Sequence, residues 1–170
     1  SYALHYNYNG QNNTAIGARA LETISSDVEN TAIGFLSGRY NTGSYNTAVG
    51  SDSLVAVTNG NNNTAIGYKA GATNVTGSGN VFVGYEAGPT SGNVSNKLYI
   101  DNSKTNTPLI YGDFSSNTVS INDNLVITGS FSDGNYTFDT NGNVSGLGTI
   151  NSGNITSTGD ITANGSLIIG

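Results

Sequence analysis

The chain contains no cysteine, no methionine and no tryptophan, and only one histidine and two prolines in 170 residues. Without cysteine there is no disulfide, no zinc–thiolate site and no thiol nucleophile. Charge is scarce too: Asp, Glu, Lys and Arg are 9% of the residues, against about 25% in an ordinary domain. Five basic residues stand against eleven acidic ones, and no basic residue follows Lys104. That balance argues against nucleic-acid partners, which need clustered cations along a phosphate backbone. No apolar run approaches the roughly 18 residues that span a bilayer as a helix, so membrane insertion is not expected, and no signal peptide is visible. The helix formers Glu, Lys, Met and Gln are rare, which argues against a helix-dominated fold.

What fills the chain instead is Gly, Asn, Ser and Thr, together just over half of it. Their side chains compete for backbone groups, or leave the backbone too free for helix interiors. The remainder is rich in Ile, Val, Tyr, Phe and Thr, which suit a pleated surface. A polar, low-complexity chain can be disordered, but here the net charge is only −6 and the apolar residues recur regularly. An elongated, repetitive all-β chain is the expectation.

The repeat is explicit. "NTAIG" occurs at 13–17, 30–34 and 63–67, "NTAVG" at 46–50 and "NVFVG" at 80–84. Ile16, Ile33, Val49, Ile66 and Val83 are therefore spaced 17, 16, 17 and 17 residues apart. "YALHY" at 2–6 reads as a degenerate earlier copy, out of phase by several residues. A period of this length is too short for a helix pair and fits one coil of a parallel β-solenoid, with two short strands and two turns. Alternation puts Thr14 and Ile16 on one face and Ala15 on the other. The Ile/Val column is expected to fill the coil interior, each residue about 4.8 Å from its equivalents. The Gly after it is expected at a corner that needs positive φ or close backbone approach. The Asn before the strand suits the other corner, where amides can also bond to one another from coil to coil.

After residue 96 the pattern changes. "KLYID", "PLIYGDF", "TVSIN" and "NLVITGSF" read as conventional strands separated by turn-like clusters. Beyond them Val144, Ile150, Ile155, Ile161 and Leu167 recur every five or six residues. Rungs that short cannot enclose a core within one chain, and they make sense if several identical chains share one. The expected organisation is 1–96 β-solenoid head repeats, 97–131 β-strand neck and 132–170 short-period, intertwined triple-stranded stalk. The start at Ser1 is expected of a fragment or a processed product, and the stop at "SLIIG" in mid-pattern leads us to expect that the natural polypeptide continues.

The motif "NTAIGxxA[LG]" resembles the head repeats of trimeric autotransporter adhesins. The longer run "NTAIGYKAG…NVFVGYEAG…NKLYIDNSKTNTPLIYGDFSSNTVSINDNLVITG" is similar to fibre proteins of tailed bacteriophages and of related bacterial surface or injection-system particles. The likeness covers about residues 10–130, and the tail more loosely. It implies a homotrimeric all-β fibre, extracellular or on a virion, that attaches to a host glycan or protein receptor alongside other fibre components. No heptad stalk, membrane-anchor barrel or chaperone domain is encoded here.

Few residues invite chemistry. His5 stands alone, so no Ser-His-Asp set can be assembled. Glu22, Asp27, Glu29, Asp101 and Asp113 are the carboxylates that glycan hydrolysis would draw on, but each also suits a turn or strand end. "DTNGN" at 139–143 has the alternating oxygens of a calcium loop, yet Val144 replaces its Gly and Ile150 its bidentate Glu. "GLG" at 146–148 lacks the third Gly of a dinucleotide loop. No catalytic, metal-binding or cofactor-binding residues are assigned. Tyr40, Tyr45, Tyr68 and Tyr85, with Arg19, Arg39 and Lys69, are candidates for a receptor- or sugar-binding face, their alternative role being packing of the solenoid flank. The assigned core positions are Ile16, Ile33, Val49, Ile66 and Val83, with Ile150, Ile155, Ile161 and Leu167. An adhesive fibre segment is the leading expectation. The alternatives are a polysaccharide-degrading tailspike-type enzyme on a β-helix, and an ice-binding solenoid built on the column Thr14, Thr31, Thr47 and Thr64.

Overall fold

In a computed structural model of the chain, residues 2–24, 26–126 and 128 are described, with the strand residues 131–132, 137–138 and 144–145. The chain divides into two compact units, Ser1–Leu125 and Val126–Gly170. All described regular structure is β. In the second unit, β9 (Phe131–Ser132), β10 (Thr137–Phe138) and β11 (Val144–Ser145) form a three-stranded antiparallel sheet. Ile150, Ile155, Ile161 and Leu167 lie outside the described residues.

The first unit is a β-solenoid of about five turns. Each "TAI", "TAV" or "VFV" forms one strand: β1 (Thr14–Ile16), β2 (Thr31–Ile33), β3 (Thr47–Val49), β4 (Thr64–Ile66) and β5 (Val81–Val83). They stack parallel and in register, Thr on Thr, Ala on Ala, Ile on Ile or Val. β6 (Lys97–Ile100) continues the stack in parallel, and β7 (Ile110–Asp113) and β8 (Thr118–Ile121) extend it as an antiparallel meander. One eight-stranded sheet in chain order thus runs from residue 14 to residue 121.

Only one strand forms per coil, not two. The far side is joined coil to coil by backbone bonds such as Leu21 N–H to Ser37 O, Gly38 N–H to Ser53 O and Leu54 N–H to Ala70 O. It cannot be β because two residues in each coil, one apart, have positive φ: Arg19 and Leu21, Leu36 and Gly38, Asp52 and Leu54, Lys69 and Gly71. The same bonding shows that residues 2–6 are in phase with the repeat. Leu4 N–H donates to Ala20 O and Tyr6 N–H to Glu22 O. His5 therefore stands one coil before Glu22, packed edge-on against Tyr2 and Tyr6.

The strand parity is the reverse of the expected one. Ala32, Ala48, Ala65 and Phe82 point inward and are buried, while Ile16 is 59% exposed and Ile33 and Ile66 are also exposed. The interior is already occupied by Ala20, Leu21, Ile24, Leu54, Val57, Ala70 and Ala87 from the rest of the coil. In the first four coils only a methyl group fits beside them, and in none of the five are Ile16, Ile33, Val49, Ile66 and Val83 the core of the coil.

Leu21 and Leu54 alternate with Gly38 and Gly71 at the equivalent position, and their partners Ile24 and Val57 alternate with Asn41 and Asn74. A Cβ on Gly71 would lie 2.6 Å from Leu54 Cδ2, and one on Gly38 would lie 3.0 Å from Leu21 Cδ2. Each leucine thus occupies space left by the glycine one coil on. In the fifth coil, where Gly88 takes the place of a leucine, Phe82 replaces the strand alanine and supplies the missing volume.

Both corners follow the residues expected there. Gly17, Gly34, Gly50, Gly67 and Gly84 have φ of 123 to 136, and a Cβ on Gly17 would sit 2.4 Å from the Gly34 carbonyl oxygen. At the opposite corner the asparagines form a ladder. The Oδ1 atoms of Asn13, Asn30, Asn46, Asn63 and Asn80 accept the backbone N–H of Asn30, Asn46, Asn63, Asn80 and Lys97 in turn. Their Nδ2 groups donate to backbone carbonyls of Asp27, Gly43, Gly60, Gly77 and Val94. Among the described residues no buried side-chain polar atom lacks a partner.

Candidate functional site

Two surface features are built by this arrangement. The first is the outer face of the sheet. Because register is kept through β8, Ile16, Ile33, Val49, Ile66, Val83, Ile100, Ile110 and Ile121 form one continuous column. Beside it runs Thr14, Thr31, Thr47, Thr64, Val81 and Leu98, which turns from hydroxylated to apolar at β5. The threonines also face outward, opposite to the expected parity. A notch of about 390 Å³ opens beside Val83 and Ile100 of the column, lined also by Gly84, Asp101, Asn102 and Leu109. Eight branched side chains in one uninterrupted line are more apolar surface than a solitary solvated sheet face ordinarily shows.

The second feature lies past the glycine corner. Tyr68 and Tyr85, equivalent residues of adjacent coils, stack with centroids 5.3 Å apart and planes at 26°. Lys69 Nζ lies 5.1 Å from the Tyr68 ring centroid. A pocket of about 150 Å³ is lined by Lys69, Ala72, Thr73, Glu86, Ala87 and Lys104. The hydrogen bond to Tyr68, aided by the charges of Glu86 and Asp52, holds the Lys69 pKa above the ordinary lysine value. Lys104 is brought in from the β6–β7 connection by a parallel bridge with Gly88.

Of the seven candidate binding residues, Arg19 occupies the coil position equivalent to Lys69, Arg39 and Tyr40 those equivalent to Ala72 and Thr73, and Tyr45 is set apart from the other six. Arg39 Nε donates to Glu22 Oε2 at 2.6 Å, Arg19 Nε lies 3.9 Å from Glu22 Oε1, and the Arg39 guanidinium covers the Tyr40 ring at 4.6 Å. Tyr45 occupies the asparagine corner with φ of 63. Tyr68, Lys69 and Tyr85 form the separate group just described. Lys104, Glu86 and Thr73 escaped sequence reasoning because they gather through coil stacking and one long turn. The 17-residue spacing of Lys69 and Glu86 was the available signal.

Three of the five candidate carboxylates, Glu22, Asp101 and Asp113, bind neighbouring groups. Glu22 serves the two arginines. Asp113 Oδ2 pairs with Lys97 Nζ at 2.9 Å; that bond lowers the Asp113 pKa and raises that of Lys97. Asp101 accepts from the Ser103 hydroxyl and the Leu109 N–H, which lower its pKa. Burial, with Tyr111 adjacent, raises the Tyr99 phenol. Among the described residues there is no cluster of three His, Asp or Glu that could hold a metal ion, and no helix long and apolar enough to cross a membrane. No protein-family model, curated protein or solved structure matches the chain.

Proposed function

We propose that the chain is a structural and adhesive segment of a homotrimeric fibre, of a phage, an injection-system particle or a bacterial surface. The observation that carries this is the outward column from Ile16 to Ile121. Burying such a side chain from full exposure is worth about 1.5–3 kcal/mol, and Ile16, Ile33, Ile66 and Ile121 retain 36–59% exposure, so covering the column favours association. The most economical cover is the same column on other copies of the chain, whose coils have the same spacing and run alongside. The threefold number comes from the resemblance to trimeric adhesins and phage fibres; the face itself calls for a like partner. Extracellular placement and a host receptor follow from the same resemblance.

Light scattering on the chain at micromolar concentration tests this. The expected mass is three times the 17.4 kDa chain. Ile33→Glu with Ile66→Glu is expected to yield monomers that keep the β-solenoid circular dichroism signal, since both side chains point away from the core. A wild-type monomer, or a trimer indifferent to both changes, overturns the reading.

The outward threonine column favours a second reading, an ice-binding face. It has one Thr per coil and ends at Val81. Thermal hysteresis from a monomeric sample would select it, because the trimer covers that face.

A further inference from the structure

The chain has five lysine and arginine residues in all. Three are in ion pairs: Arg19 and Arg39 with Glu22, and Lys97 with Asp113. The other two, Lys69 and Lys104, have no carboxylate within 4 Å among the described residues, and both line the same pocket. Thirty-five positions apart in sequence, they meet there because the β6–β7 connection is pinned to the fifth coil. Thr105 N–H donates to Gly88 O at 3.0 Å, Thr90 N–H donates to Asn106 Oδ1 at 3.1 Å, and Asn106 Nδ2 donates to Thr90 Oγ1 at 2.9 Å. Both lysine side chains line the one cavity, where an anion between them would be attracted by each.

The surroundings narrow the class of anion. Glu86 also lines the pocket, so its formal charge is +1, suited to one anionic group and unfavourable to a dense polyanion. A volume of about 150 Å³ limits the occupant to a small group. Beside the pocket, Lys69 lies over the Tyr68 ring, which stacks on Tyr85; both rings are exposed, and the Tyr85 face turned away from Tyr68 is a flat apolar surface of the kind on which a sugar's C–H face packs. Glu86 can accept from a sugar hydroxyl. We infer that this pocket binds an acidic saccharide, its carboxylate or sulfate between Lys69 and Lys104 and its ring against the Tyr68–Tyr85 pair. The site rests on the adhesive reading for its biological use, although it lies within a single chain.

Isothermal titration of the full chain with a hyaluronan tetrasaccharide (carboxylate), a sulfated chondroitin disaccharide (sulfate) and neutral maltotetraose tests it. Binding of at least one acidic sugar is expected, weaker at higher salt, with no response to maltotetraose. The stronger of the two acidic probes identifies the anionic group. Lys69→Gln and Lys104→Gln are each expected to weaken binding about tenfold or more through loss of a charge-assisted contact. Tyr85→Ala is expected to weaken it as well, whereas Lys97→Gln, which removes an equal charge elsewhere, leaves it unchanged. Circular dichroism checks that each variant is folded. Absence of saturable binding by both acidic sugars, equal binding of the neutral one, or indifference to both pocket lysines overturns the inference. Light scattering on the same samples separates the two proposals. A trimer that binds no acidic sugar removes the site alone, and a sugar-binding monomer removes the fibre reading alone.

Discussion

Asn63 shows what one residue does in this molecule. It is fully buried, its Nδ2 donates to Gly77 O and Asn46 Oδ1, and its Oδ1 accepts both the N–H and the Nδ2 of Asn80. Asn63→Ala strands the Asn80 N–H where no water reaches, at about 1–3 kcal/mol, while the Gly77 carbonyl keeps the Asn74 Nδ2 donor. A marked drop in the urea midpoint is expected, larger than for any exposed asparagine such as Asn59. This corner was legible in the sequence, because an amide that both donates and accepts is the natural group at a repeated turn, and so was the glycine corner. The positive φ of Arg19, Leu36, Asp52 and Lys69 was not. None of these residues advertises a left-handed backbone, and stacking imposes that conformation from outside the residue.

At the scale of the element, a three-residue strand alternates perfectly and still leaves two answers to which side faces in. Bulk suggested that the isoleucines do. The answer was set by side chains from the far half of the coil, which leave room only for an alanine at 15, 32, 48 and 65, and for Phe82 where glycine replaces leucine. Ala32→Asp is therefore expected to unfold the solenoid, since it buries an unpaired charge, while Ile33→Asp should affect association and leave the coil intact. Thermal melting paired with light scattering distinguishes the two. β6 and β7 carry a pH-dependent pair. The Asp113 pKa is lowered in the folded state, so its contribution is present above the ordinary carboxylate value and is lost as pH falls through the folded value. The Lys97 pKa is raised, so its contribution is present below the ordinary lysine value and is lost as pH rises through the folded one. The Asp113 carboxyl carbon, followed by NMR, is expected to titrate below 3.8 and to move back upward in Lys97→Met.

For the whole molecule, the period of 16 to 17 residues carried the architecture, because each coil buries its face only against its neighbours. The sequence argument for association rested on the short-period tail. The long column on the first unit supplies an independent ground, visible only once strand parity is known. The pocket was the least legible part. It depends on a turn after β6 folding back on the fifth coil, and nothing in the local pattern around Lys104 announces that return.

The alternation of leucine with glycine has a consequence for how such a chain lengthens or shortens over generations. Over the four coils from Leu21 to Gly71 its heritable unit is a pair rather than one, although Leu4, in the coil before, neighbours Leu21 without such a recess. Removing residues 30–45 would set the Leu21 coil directly against the Leu54 coil, with bulk on bulk and no recess to receive it. Removing residues 30–62 would bring Leu21 over Gly71 and restore the fit. The longer deletion is expected to melt at the higher temperature of the two, a reversal of the usual rule that losing more of a repeat array costs more. Recombination among these four coils would then be filtered by parity, favouring length changes by even numbers of coils there.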